Sequence, residues 1–94
     1  MIPIEWSVAA RRDLERLRAF IAKSSPAAAE RAAATIARAA TALSRHPELG
    51  RMLDDTPLRE LVIPFGASAY VLHYRIDPDC VVIARVWHGR EDRE

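Results

Sequence analysis

The chain has 94 residues, half of them apolar, a formal charge of +1 and one cysteine, Cys80. That suits one small domain with a modest core, here read as a single unit over 1–94, and it excludes an internal disulfide and a cysteine-rich metal site. No apolar run is long enough to span a bilayer, and MIPIEW is not a secretory leader, so no membrane role and a reducing cytoplasm are expected.

Charge is unevenly placed. Residues 1–53 hold nine Lys/Arg against five Asp/Glu, a balance of +4, whereas 54–94 hold five against eight, a balance of −3. All the cations but Lys23 are arginine, the side chain suited to bidentate pairing with carboxylate or phosphate. The total is too low for a dedicated nucleic-acid binder, so no sequence-specific nucleic-acid recognition by this chain is expected.

Ile2, Ile4 and Trp6 alternate with other residues, the pattern of a short strand, and Ser7 follows as a helix N-cap. From Val8 to Ala22 the period becomes helical, with Ala10, Leu14, Leu17 and Ile21 on one face. Asp13 is read as a complement to the positive end of that helix. Ser25 and Pro26 open a second helix, expected to run to about Ser44 with Ala29, Ala33, Ile36, Ala40 and Leu43 as its apolar stripe. So much alanine lets two helix axes approach closely, which predicts a tight antiparallel helical hairpin. His46 is read as complementing the dipole at the second helix's end.

RHPELGRMLDDTP reads as punctuation, with Pro47 as a stop and Gly50 as a turn. Three strand-like runs follow: Leu58 to Ile63, Ala67 to Ile76 and Cys80 to Trp87. PFG and DPD supply the turns between them, which makes a three-stranded antiparallel meander. Tyr70, Leu72, Tyr74 and Ile76 fall on one face of the middle strand, and Val71, His73 and Arg75 on the other. Strict alternation in the last strand sets Val82, Ala84 and Val86 against Val81, Ile83, Arg85 and Trp87. Arg85 on an apolar face needs a carboxylate, for which Glu60 or Asp92 is the expected partner. Trp6 and Trp87 are read chiefly as packing residues. The class is therefore α+β: strand, helical hairpin, meander, with the helices on one sheet face. The other face is expected either to curl over itself or to be covered by a partner.

Taken in order, Trp6 with AARRDL, LRAFIAKSSPAAAERAAATI, LSRHPELGR, LRELVIPFGASAYVLHYRI and VVIARVWHGRED resemble the ParE/RelE superfamily of toxins from type II toxin–antitoxin pairs, and most of all its ParE branch. The resemblance covers nearly the whole chain. It implies a plasmid-stabilising toxin that inhibits DNA gyrase by protein–protein binding and is silenced in a hetero-oligomer with a ParD-like antitoxin. The other branch implies a ribosome-dependent mRNA endonuclease. That chemistry needs a general base, a general acid and cations against the developing charge. On the tyrosine-bearing strand the position of the RNase branch's cation holds Val71 or Leu72, and residues 46–66 contain no lysine, only Arg51 and Arg59. What remains for catalysis is His88, Arg90 and Arg59. As antitoxin or target contacts, Arg59, Tyr74, Arg85, Trp87, His88 and Arg90 are the candidates. No metal site is expected, since three scattered histidines and one cysteine lack ligand spacing, and no cofactor is implied.

Overall fold

The computed structural model describes residues 1–91. Strand β1 (Ile4–Trp6) leads into α1 (Val8–Ala22), α2 (Pro26–Ala42), β2 (Arg51–Met52), β3 (Leu58–Phe65), β4 (Ser68–Ile76) and β5 (Val81–His88). The strands form one sheet in the order β1-β5-β4-β3-β2. Its centre is the expected meander, while β1 joins the outer edge of β5 in parallel, pairing Ile4, Glu5 and Trp6 with Val81, Val82 and Ile83.

Two helix caps act as the sequence implied. Ser7 Oγ accepts from the Ala10 amide at 3.0 Å, and Ser25 Oγ from the Ala28 amide at 3.1 Å, each satisfying an orphan donor of the first turn. Ser7 also donates its hydroxyl to the Ala84 carbonyl at 2.9 Å and its amide to the Ile83 carbonyl at 3.0 Å. One residue thus ends β1, starts α1 and ties both to β5. The helical stripes meet the sheet as expected: Ala10, Leu17, Ala32, Ile36, Ala40 and Leu43 form one core with Ile63, Tyr70, Leu72, Tyr74, Val81, Ile83 and Val86.

Four expectations are corrected. The segment read as punctuation contains β2, which pairs antiparallel with β3 through Arg51–Glu60 and Met52–Arg59. Helix α2 ends at Ala42, so His46 lies in the following turn, its amide bonded to the Ala42 carbonyl at 3.0 Å, and does not sit on the helix. The PFG turn is displaced: Pro64 and Phe65 still pair with Ala69 and Ser68, leaving Gly66 and Ala67 as a two-residue turn with Gly66 at φ 60°.

The fourth concerns β5. Its register against β4 shifts between His73–Arg85 and Tyr74–Ile83, leaving Ala84 as the extra residue of a bulge. The bulge resets the alternation, so Val81, Ile83 and Val86 all face the helices, and Arg85 and Trp87 face away. A strictly alternating strand would have set Arg85 beside Ile83. The face away from the helices is consequently less apolar than expected. Val71, Val82 and Trp87 on it are nearly covered, and a row of polar side chains (Arg51, Glu60, His73, Arg85) crosses it through successive strand pairs.

Candidate binding site at the end of the sheet

The predicted site residues fall into three groups that do not meet. Arg59 and Tyr74, paired across β3 and β4, point under the helix side and hold the loop that follows α2. The Tyr74 hydroxyl donates to the Pro47 carbonyl at 2.7 Å and accepts from the Gly50 amide at 2.8 Å, and Arg59 donates to the Gly50 carbonyl at 2.9 Å. Tyr74 is fully buried, which raises its phenol pKa, and a Cβ on Gly50 would stand 2.8 Å from its ring. These two side chains are anchors of the scaffold; Tyr74, expected as a contact for a partner, is covered by its own chain.

Arg85 and Trp87 form the second group, on the face away from the helices. The guanidinium lies 4.9 Å from the centre of the Trp87 ring, in cation–π range, and His73 meets the same ring edge-on at 4.8 Å. His73 is in turn bonded to Glu60 at 2.9 Å, and Glu60 accepts from Arg51 at 2.9 Å. The His73 bond, ahead of the opposing effect of burial and with help from Arg51, holds the Glu60 carboxyl below its ordinary pKa.

Among the described residues, the carboxylate that holds Arg85 was not one of those expected. It is Asp13 of α1, which accepts from Arg85 Nε at 2.7 Å and from Arg85 Nη2 at 3.1 Å, while Asp92 lies outside the described residues. Asp13 also accepts from the Val86 amide at 2.9 Å. It sits beyond the first turn of α1 and is nearly buried, so its role is this bond set and not the helix dipole. Burial pushes its pKa up, but the bonds from Arg85, the Val86 amide and Arg16 outweigh burial and leave it lowered. A signal was present: Asp13 stands three residues after Ala10 and four before Leu17, on the apolar stripe of the helix.

His88 and Arg90 make the third group. They border a cleft of about 580 Å³ between α1 and the end of the sheet, walled by Leu17, Phe20, Ile21 and Tyr70 and rimmed by Arg16, Arg90 and Glu91. Phe20 is 71% exposed here. The turn after β5 is pinned onto α1: Arg16 pairs with Glu91 and with Asp13, and Glu91 accepts from the His88 amide at 3.3 Å. The His88 ring packs edge-on against Tyr70 at 5.6 Å. Its Nδ1 accepts from the Arg90 amide at 3.2 Å, which places the proton of the neutral ring on Nε2, facing Ser68 Oγ at 2.8 Å. Both ring nitrogens are thereby engaged. Asp13, Arg16, Ser68 and Glu91 were not among the sequence candidates. No group of three or more metal-ligating side chains occurs among the described residues, and none of the described helices is long and apolar enough to cross a membrane.

A helical hairpin laid on one face of such a sheet, with a cleft at the sheet's end, is the fold of toxin chains. Over 94% of this chain and 96% of the other, it superposes with a TM-score of 0.78 at 19% identity on a chain of the chromosomal ParDE toxin–antitoxin system from P. aeruginosa. A second match, the toxin–antitoxin complex RelBE2 from Mycobacterium tuberculosis, has a TM-score of 0.66 at 30% identity over 93% and 96% of the two chains. The model of the ParE toxin of type II toxin–antitoxin systems, parDE, matches residues 4–93, and the chain belongs to this family. Similar curated proteins include toxin RelE3 of Caulobacter vibrioides, 45% identical over 99% of this chain and 100% of the other, and toxin RelE1 of the same organism, 41% identical over 93% and 92%.

Proposed function

We propose that this toxin acts in the cytoplasm by protein–protein binding, with DNA gyrase as its target and a ParD-like antitoxin as its neutralising partner in a hetero-oligomer. One observation carries the preference for binding over cleavage: of the three residues available for catalysis, Arg59 and His88 are bonded within the chain, and only Arg90 keeps its side chain exposed at the cleft, in no ion pair among the described residues. Arg59 bonds loop carbonyls, Arg85 is held by Asp13, and both nitrogens of His88 are occupied. Phosphodiester cleavage requires a free base, an acid and unpaired cations around one point. The cleft beside His88 instead offers an apolar wall with a charged rim, the anatomy of a protein-binding surface. An antitoxin partner is supported by the solved relatives, which are described as a ParDE system and a RelBE2 toxin–antitoxin complex.

The second reading, a ribosome-dependent mRNA endonuclease, is favoured by the convergence of His88, Tyr70, Arg16 and Arg90 on that cleft and by relatives named RelE. Purified toxin separates the two. In a gyrase supercoiling reaction it is expected to inhibit the enzyme or leave cleaved DNA, and in a translation reaction to leave mRNA intact. Cleavage of mRNA within the ribosomal A site, with gyrase unaffected, would reverse the assignment. Under the binding reading, His88→Gln keeps toxicity within a few-fold; under the other it abolishes it.

A further inference from the structure

The charge asymmetry of the sequence becomes a surface in the fold. The eight cations between Val8 and Arg45 all lie on the helical layer, against three carboxylates, Asp13, Glu15 and Glu30. Asp13 is consumed by Arg85 and Arg16, and Glu30 by Arg18 at 3.2 Å. Arg11, Arg12, Lys23, Arg31, Arg38 and Arg45 are exposed and take part in no ion pair among the described residues.

Three of the six are in line. Arg31, Arg38 and Arg45 recur every seven residues, a spacing that drifts by only ~20° around a helix and advances about 10 Å. Bonds from Leu43, Ser44 and Arg45 to carbonyls three residues back carry the spiral past Ala42 to Arg45. The residues between them on this face, Ala34 and Thr41, are small, so nothing bulky keeps a flat anionic surface away. Because the helices run antiparallel, Arg11 comes in beside Ala37 together with Glu15, so α1 adds no net charge there and the cationic strip is the line on α2 itself.

We propose that the outer face of the helical layer, centred on Arg31, Arg38 and Arg45, binds the phosphate backbone of nucleic acid without reading its sequence. The alternative occupant, an acidic protein, would call for an apolar or aromatic anchor amid the charge. No large apolar side chain is exposed on α2, which carries the line of arginines; those exposed on the helical layer, Val8 and Phe20, belong to α1. Evenly spaced arginines without an anchor suit a repeating line of phosphates. The binding is additional to the proposed gyrase contact and would concentrate the toxin on the nucleic acid that its target handles.

The test is fluorescence anisotropy of the antitoxin-free toxin with a labelled random-sequence DNA duplex, a single-stranded RNA and an acidic peptide. Expected is binding to both nucleic acids that weakens steeply with salt, indifferent to sequence. The triple reversal R31E/R38E/R45E should lower affinity at least about tenfold and reduce the salt slope by about three, with an unchanged far-UV spectrum. The control Arg75→Glu, on the opposite face, should bind as the parent does. Absence of nucleic-acid binding at low salt, an unchanged slope in the triple variant, or binding of the acidic peptide alone would each overturn the proposal. None of these readouts depends on whether gyrase is the target.

Discussion

The two halves of β5 are stabilised by different means. Before the bulge, its outer edge is paired to β1, backbone to backbone, from Val81 to Ile83. Beyond the bulge β1 has ended, and the edge is closed by side chains: Asp13 on the Val86 amide and Glu91 on the His88 amide. An open strand edge invites pairing with other chains, and a carboxylate seals it while leaving the end of the sheet free to carry a cleft. A strand can pair only with a neighbour that continues alongside it, whereas a carboxylate can be delivered from a helix crossing above. The half of β5 sealed in this way is also the half that borders the candidate site.

Removing Asp13 should break this contrast most severely. Asp13→Ala strands the Val86 amide and leaves Arg85 without its bidentate carboxylate. A loss of about 2–3 kcal/mol is expected, toward the lower end for a broken buried pair because Arg85 is half exposed. Urea unfolding of D13A, R85A and the double variant would measure it, and a coupling energy near zero would show that the pair is not what closes the edge. A smaller effect, about 1–2 kcal/mol, is expected from Tyr74→Phe, which keeps the core but leaves the buried Gly50 amide without its acceptor. The same unfolding experiment should show the midpoint moving with the slope unchanged.

Acid should discriminate between the halves as well. Asp13 and Glu60 both have lowered pKa values, so the stability they contribute is fully present above the unfolded carboxylate range, about pH 4. It is lost as pH falls through their lower folded values. Stability followed from pH 6 down to pH 2 should fall less in D13N than in the parent, and in D13A, which has no acceptor, amide exchange should already be fast at Val86 at pH 6. The smallest effect belongs to Glu91→Ala. Its pair with Arg16 is substantially exposed, so a cost of at most about 0.5 kcal/mol is expected. Hydrogen exchange at His88 should nevertheless quicken while that at Ile83 stays slow; equal quickening at both would contradict separate closure of the two halves.

Much of this molecule could be read from its residues. Ser7 and Ser25 mark both helix starts because a cap is a local bond over three residues. The stripes of α1 and α2 and the faces of β4 follow from period alone. The bulge at Ala84 escaped because it adds one residue without altering composition, and a strict period of two then assigns Arg85 to the wrong face. Strand β2 escaped because two residues carry no period at all.

The site was less legible than the fold. Arg59, Tyr74, Arg85 and Trp87 are the kinds of residue that bind partners, and within the chain they also hold a loop, a core and a cation–π stack, which their residue types alone did not reveal. His88 and Arg90 alone arrive at the cleft, where they join Arg16 and Phe20 from a helix some 70 positions away. The order of elements, the caps, the apolar faces and the charge imbalance were determined by sequence, since each depends on neighbours within a few turns. Which carboxylate meets Arg85, which edge amides are sealed and which cations stay unpaired were decided only by tertiary structure. Those are contacts between elements, set by where a register shift of one residue sends every side chain after it.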